Sequence, residues 1–365
     1  MLKRKAGAKS FTITNVSSWN GAVMEKIEVN NLYLPGAGFI SWGSVLALPY
    51  TFILAVGGRG GGKTYGSLLY CLQNNIKIMY LRRTQKQLKM VLKHDFSPYK
   101  AINRDTGSNI QPKTQGDDLG RFMDMKTGQT VGYMAALSTI SNIRGFDASD
   151  VDMIIFDEFI PETSERIMFD QAAALWNAYE TINRNRELDG KPPVRMLLLS
   201  NSNSIYGDII SSLRIGSDLY EMQKTGVELL ADNTRSLLLF LPQAPEFREQ
   251  KSRTALYRLT AGTDFADMAL DNHFMIQDER QIKRRPVKEF RPVAEINDVI
   301  IYRHRSRSEF YVTDEATGGV QHYEMNKQDI RRYLRDHSSV QFADQKKRIY
   351  FKDLNCQARY YQIFA

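Results

Sequence analysis

The sequence predicts an α/β fold built on a largely parallel sheet, and three observations carry that expectation. A short apolar strand, Phe52-Ile-Leu-Ala-Val, empties into the glycine-rich run Gly57-Gly58-Arg59-Gly60-Gly61-Gly62-Lys63-Thr64 and then into a helical stretch. Two further apolar runs, Val151–Phe156 and Val194–Ser200, each end in polar residues. Short buried strands alternate with helices and hairpins from Thr51 onward, which implies right-handed crossovers between parallel neighbours.

Taken in order, residues 1–50 show no clear period. They read as an extension packing on the core, an extended arm plus a helix or turn around Pro35-Gly36-Ala37-Gly38. Thr51–Val56 reads as a buried strand, Lys63–Leu72 as a helix, Lys77–Leu81 as a second buried strand and Thr84–Leu92 as a helix. Gly120–Leu137 alternates around Lys126-Thr-Gly-Gln129, the pattern of a β-hairpin. Ile167–Glu180 reads as a helix between the strands Val151–Phe156 and Val194–Ser200. After Pro242 the character shifts, and Glu246–Leu259 reads as one charged amphipathic helix. Beyond Pro286 come alternating strands at Val299–Tyr302 and Phe310–Val312, a turn at Thr317-Gly-Gly319 and a short helix at Lys327–Leu334. The expected organisation is an extension (1–50), a nucleotide domain (51–242), a small helical linker or lid (243–286) and a β-rich C-terminal domain (287–365).

Composition narrows the class. Hydrophobic content of 42% and charged content of 25% describe a globular protein, and no apolar run approaches the length of a membrane span. The basic start Met1-Leu-Lys-Arg-Lys is followed by no signal-peptide core, so export and a membrane partner are not expected. Two distant cysteines, Cys71 and Cys356, and five histidines give no zinc pattern. Net charge is +8, with basic clusters at Arg82-Arg83, Lys283-Arg284-Arg285, Arg303–Arg307, Arg331-Arg332 and Lys346-Lys347-Arg348. The last three are interleaved with Tyr302, Phe310, Tyr311 and Tyr350, a mixture suited to phosphate contact and base stacking, though a solvated β face would read alike.

The glycine-rich run matches G-x-x-x-x-G-K-[ST], a phosphate-cradling loop. Its glycines let backbone N–H groups converge on phosphate oxygens, Lys63 brings charge to the β/γ-phosphates and Thr64 offers a hydroxyl to Mg²⁺. ATP and Mg²⁺ are therefore the expected ligands. Asp157, at the end of Val151–Phe156, can hold the metal, and the adjacent Glu158 can activate water for in-line attack, which favours hydrolysis over transfer. Ser200 or Asn201, ending the next apolar strand, can sense the γ-phosphate. Arg184 or Arg186 can reach a neighbouring subunit's nucleotide, or can simply complement a helix C-terminus. Arg144 can place a guanidinium near phosphate. Arg59 can touch nucleotide in cis or swing outward, and Arg82 and Arg83 can serve the nucleotide or a subunit contact.

Several strings together resemble the phi29-type viral DNA-packaging ATPases, large-terminase-like genome-packaging motors. They are Gly57–Thr64, Tyr80-Leu-Arg-Arg83, Ile155-Phe-Asp-Glu-Phe-Ile160, Arg184-Asn-Arg-Glu187, Leu199-Ser-Asn201 and the stretch from Gly262 to Asn272. The resemblance implies an additional-strand, catalytic-glutamate (ASCE) P-loop ATPase domain, a linker domain and an RNase H-like, vestigial-nuclease C-terminal domain. It implies a homo-oligomeric ring of five subunits on the portal of a procapsid in the host cytoplasm, moving double-stranded DNA, with a packaging RNA as a further candidate partner. By the same resemblance Lys63 and Thr64 serve phosphate and metal, and Asp157 and Glu158 serve hydrolysis. Arg184 would be the trans-acting finger, Arg144 a second trans-acting basic residue and Arg82 the arginine after the second strand. Residues 1–50 exceed the compact family pattern. Asp314, Glu315 and Asp353 form no convincing two-metal set, so nuclease activity is not expected. The rival readings are a terminase with active nuclease, another ring-forming translocase or helicase, and a nucleotide-held switch without turnover.

Overall fold

A computed structural model describes residues 3–6, 9–17, 23–143, 145–161, 170–201, 207–263, 266, 270, 279–315 and 318–363. Contacts group the chain into two compact units. The first comprises 1–162, 170–203 and 221–273, and the second 163–169, 204–220 and 274–365. Residues 1–50 and much of the expected linker thus fall within the first unit.

The first unit is built on a twelve-stranded sheet. Its strands in chain order are β1 (Lys3–Ala6), β2 (Lys9–Ser17), β3 (Val23–Val29), β4 (Phe52–Gly57), β5 (Ile78–Arg82) and β6 (Ile110–Gln115). They continue with β7 (Leu119–Asp124), β8 (Thr130–Ala136), β9 (Met153–Asp157), β10 (Arg195–Asn201), β11 (Leu229–Asp232) and β12 (Leu237–Phe240). Their spatial order is β1-β2-β3-β11-β12-β4-β10-β9-β5-β8-β7-β6. The centre, from β12 through β4, β10, β9 and β5 to β8, is parallel throughout. Both edges are antiparallel: β7 and β6 on one side, β11 and the hairpins of β1–β3 on the other.

The centre is where the sequence shows unbroken apolar runs, because strands covered on both faces must be apolar on both. In β4, β9 and β10, Ile53 to Val56, Met153 to Phe156 and Met196 to Leu199 are all buried. The helices Lys63–Gln73 and Gln171–Asn183 make two of the crossovers. The hairpin of β7 and β8 forms as the alternation predicts, and Gly128 turns it with φ +75°. Residues 1–50 carry more order than an arm, since β2 and β3 pair over seven residues and β3 pairs with β11. The expected single helix Glu246–Leu259 is two helices, Pro245–Ser252 and Ala255–Leu259. Thr254 breaks them by starting the second in an extended conformation, φ −76°, ψ 160°.

The second unit holds a separate five-stranded sheet of β13 (Phe290–Ile296), β14 (Val299–His304), β15 (Phe310–Thr313), β16 (His322–Tyr323) and β17 (Ile349–Phe351), in the order β16-β13-β14-β15-β17. Helices Lys327–Asp336, Ser338–Gln345 and Leu354–Gln362 supply Tyr333, Val340 and Tyr360 to a core with Ile296, Ile301 and Phe351.

Candidate active site

The parallel centre decides where the chemistry can sit, since the C-terminal ends of β4, β10, β9 and β5 lie side by side. β10 lies between β4 and β9, and Asn201 pairs in register with Gly57 while Leu199 pairs with Asp157. An extra strand therefore separates the phosphate loop from the carboxylates, the arrangement expected of an additional-strand ATPase.

The loop is sharply bent and tightly covered. Gly60 and Gly62 hold φ of +89° and +85°, where L side chains are strained. A Cβ on Gly60 would lie 3.0 Å from Cζ of Phe247, and one on Gly66 would lie 2.7 Å from Cδ1 of Trp42. Trp42 Nε1 donates to the Gly62 carbonyl at 3.1 Å, and the Ile40 N–H donates to that of Gly61 at 3.3 Å. Phe39 and Phe247 meet over the loop with ring centroids 5.2 Å apart. Gly58, Arg59, Gly61 and Lys63 line one pocket together with Arg248 and Lys251 from the helix Pro245–Ser252.

Lys63 opens the helix Lys63–Gln73, and its buried ammonium donates to the carbonyls of Gly57 (2.9 Å) and Gly58 (2.6 Å) and to Asn201 Oδ1 (3.3 Å). Burial pushes its pKa down to about 8, Asp157 works against that, and the cations Lys251 and Arg59 add to it. A buried ammonium on neutral carbonyls is poised to exchange them for an anion, which suits a nucleoside triphosphate.

Asp157 is buried at the end of β9 and accepts three bonds. Thr64 Oγ1 donates at 3.0 Å, Tyr80 OH at 2.6 Å and Arg82 at 3.4 Å. The Thr64 hydroxyl and the Asp157 carboxylate are hard oxygen donors, the pair that Mg²⁺ takes alongside waters and substrate phosphates. Among the described residues no group of three or more His, Cys, Asp or Glu could cage a metal. Glu158 holds a left-handed backbone (φ +56°), its carboxylate is paired with Arg82, and its carbonyl accepts from Arg83 Nε at 3.0 Å. That left-handed backbone places strain at the carboxylate next to Asp157.

The structure sorts the remaining candidates. Arg82, expected among the nucleotide-binding residues, pairs here with Asp157 and Glu158, because β5 neighbours β9. Of the two polar residues ending β10, Asn201 meets Lys63, while Ser200 Oγ accepts from the Ile160 N–H at 3.2 Å. Arg184, at the C-terminal end of Gln171–Asn183, is half exposed, donating to the Phe146 carbonyl at 3.0 Å and lying 3.9 Å from Asp147. Arg186 is absorbed in packing, bonded to the Val151 carbonyl and 3.9 Å from Asp152. Arg144 lies outside the described residues. Arg83, read from the sequence as serving the nucleotide or a subunit contact, instead holds the Glu158 carbonyl, while Tyr80, Trp42, Phe247 and Lys251 were given no role by sequence reasoning. For Tyr80 a signal existed, since it shares a strand face with Arg82 two residues on.

Comparison with known proteins agrees with this geometry. The DNA packaging protein of Bacillus phage phi29 is 26% identical over 247 residues, 65% of this chain and 67% of that protein. Its counterpart in Bacillus phage PZA gives the same figures. The Phi-28 gp11 DNA packaging motor superposes with a TM-score of 0.60 at 18% identity, covering 90% of this chain and 97% of that one. The phi29 viral genome packaging motor assembly gives 0.58 at 20% identity, over 89% and 98%. At those identities the structural likeness speaks for the fold. Residues 39–330 match the profile of the family described as Podovirus DNA encapsidation protein (Gp16), a span that takes in both the loop and its carboxylates. With an additional-strand P-loop ATPase fold, a Lys63-Thr64-Asp157-Glu158 site and that match over most of its length, the chain belongs to the Podovirus DNA encapsidation protein (Gp16) family.

Proposed function

We propose that the chain is an ATP-hydrolysing motor that drives double-stranded viral DNA through a portal into a preformed procapsid. The observation that carries the reading is the Thr64–Asp157 contact with Glu158 directly beside it, one strand away from the phosphate loop. The name of the family and those of its phage relatives support the cargo.

In this mechanism the loop amides and Lys63 bind the triphosphate of ATP, and Thr64 and Asp157 would hold Mg²⁺, whose charge would offset that of the phosphates. Glu158 takes the proton of the attacking water. Arg82 holds the Glu158 carboxylate until it turns to that water, and Tyr80 and Arg82 keep Asp157 oriented. The exposed guanidinium of Arg184 is offered to the site of a neighbouring subunit, within a ring of five on the portal in the host cytoplasm. A packaging RNA is a candidate component of the same assembly.

Nuclease activity is not part of this reading. Lys352 Nζ lies 2.7 Å from Asp314 and 3.4 Å from Glu315, so an ammonium sits where a two-metal site would need cations. The deciding experiment measures ATP turnover with and without DNA and portal-bearing capsids. Stimulation by both, lost in Lys63→Ala, is expected; turnover indifferent to DNA and capsids alike would overturn the packaging assignment.

A further inference from the structure

The pocket over the phosphate loop holds more positive charge than the loop motif itself supplies. Arg59 and Lys63 come from the loop, and Arg248 and Lys251 come from the helix Pro245–Ser252, with no Asp or Glu among the described residues lining it. Lys251 is the most deeply engaged of the added pair. Its ammonium donates to the Arg59 carbonyl and lies 5.6 Å from the Phe247 ring centroid and 4.9 Å from that of Tyr257. The two rings hold the ammonium itself by cation–π attraction, at the loop. It is also close enough to Lys63 to help depress that lysine's pKa.

Cations gathered this closely repel one another, and a multiply charged anion among them relieves the repulsion. The position of Lys251 indicates which part of the anion it would meet. In a P-loop the backbone cradles the inner phosphates, while the lysine reaches outward to the β/γ end. Lys63 Nζ lies at Gly57, Gly58 and Asn201, so the terminal phosphate belongs to the first half of the loop. Lys251 holds the Arg59 carbonyl of that same half.

We infer that Lys251 is a second phosphate-binding lysine, engaging the terminal phosphate of the nucleoside triphosphate from a helix outside the loop motif. The inference rests on the nucleotide-site reading above. It gives the helix pair Pro245–Ser252 and Ala255–Leu259 a means of distinguishing ATP from ADP, since only the triphosphate offers the group that Lys251 contacts.

Calorimetric titration of the full chain with Mg-ADP and with a β,γ-imido analogue of ATP tests this. Lys251→Met keeps an unbranched apolar side chain of similar length and removes the charge. It should weaken the triphosphate analogue about tenfold or more, the worth of one charge-assisted hydrogen bond, and ADP by less than about twofold. Lys251→Arg, with circular dichroism confirming the fold of both variants, should recover most of the triphosphate affinity. An unchanged triphosphate affinity, or a parallel loss for both nucleotides, would overturn the inference, the latter marking Lys251 as a structural tie only. Failure of the unaltered protein to bind either nucleotide, or undiminished binding by Lys63→Ala, would instead sink the nucleotide-site reading itself.

Discussion

Raising the pH should weaken nucleotide binding through one residue, Lys63, because its ammonium is buried among other cations and its pKa is pushed down to about 8. With that value about nine in ten Lys63 side chains are charged at pH 7 and about one in ten at pH 9. If the charged form binds the phosphates, the apparent Kd should rise about tenfold between those limits, about 1.4 kcal/mol. The bound triphosphate restores the charge, so binding should take up about 0.1 proton per site at pH 7, about 0.5 at pH 8 and about 0.9 at pH 9. Phosphate's own second ionisation, near pH 6, is largely complete below this window.

Titration calorimetry in buffers of different ionisation enthalpy reads proton uptake directly. Uptake that stays near zero from pH 7 to 9 would refute the assignment of a depressed pKa to Lys63. Lys251→Met removes one of the repelling cations and should move the midpoint upward. The stability of the nucleotide-free chain carries the opposite sign. Its folded-state pKa lies below the unfolded value, so the unfolded chain binds the extra proton between about pH 8 and pH 10.5. This contribution to stability therefore rises with pH across that window, by about 3–4 kcal/mol at most.

Three further outcomes follow from the same site. Glu158→Gln should bind ATP as tightly as the unaltered protein while turnover falls about 10²- to 10⁴-fold, the usual worth of a general base; rapid-quench turnover measures it, and near-normal turnover would favour a nucleotide-held switch. Tyr80→Phe removes a donor from buried Asp157 and should cost about 1–3 kcal/mol of stability in urea unfolding, together with weaker Mg²⁺ dependence of turnover. Arg184→Ala should leave ATP affinity intact and abolish turnover. Mixing that variant with Lys63→Ala subunits should restore some turnover if the arginine acts between subunits, and no restoration would assign it to its own subunit.

How much of this was legible in the sequence depends on how local each feature is. The parallel centre was readable because strands buried on both faces must be continuously apolar, as in Ile53–Val56 and Leu197–Leu199. The loop and Asp157-Glu158 were readable because phosphate and metal chemistry dictates residue types over a few positions. Of the antiparallel edges, the β7–β8 hairpin was readable from its local alternation, whereas the join of β3 to β11 was not, since those strands lie some two hundred residues apart. Arg82 was found, but its partner was not, because strand order decides which neighbour a strand-end side chain meets. The aromatic and cationic cover from Trp42, Phe247 and Lys251 was invisible for the same reason, its members being up to about two hundred residues apart in the chain. Thr84 and Gln87, by contrast, form a capping box that fixes the start of Gln85–Val91 from four neighbouring residues.

Trp42 gives the chain an optical gauge of its own active loop. Its indole donates to the Gly62 carbonyl and rests against Gly66, so any movement of the loop alters the hydrogen bond and the surroundings of the fluorophore. The chain has three tryptophans, and of the two in described positions the other, Trp176, lies on the helix Gln171–Asn183. Emission from Trp42 can thus follow filling and emptying of the loop without a label, in single subunits or while a working assembly turns over.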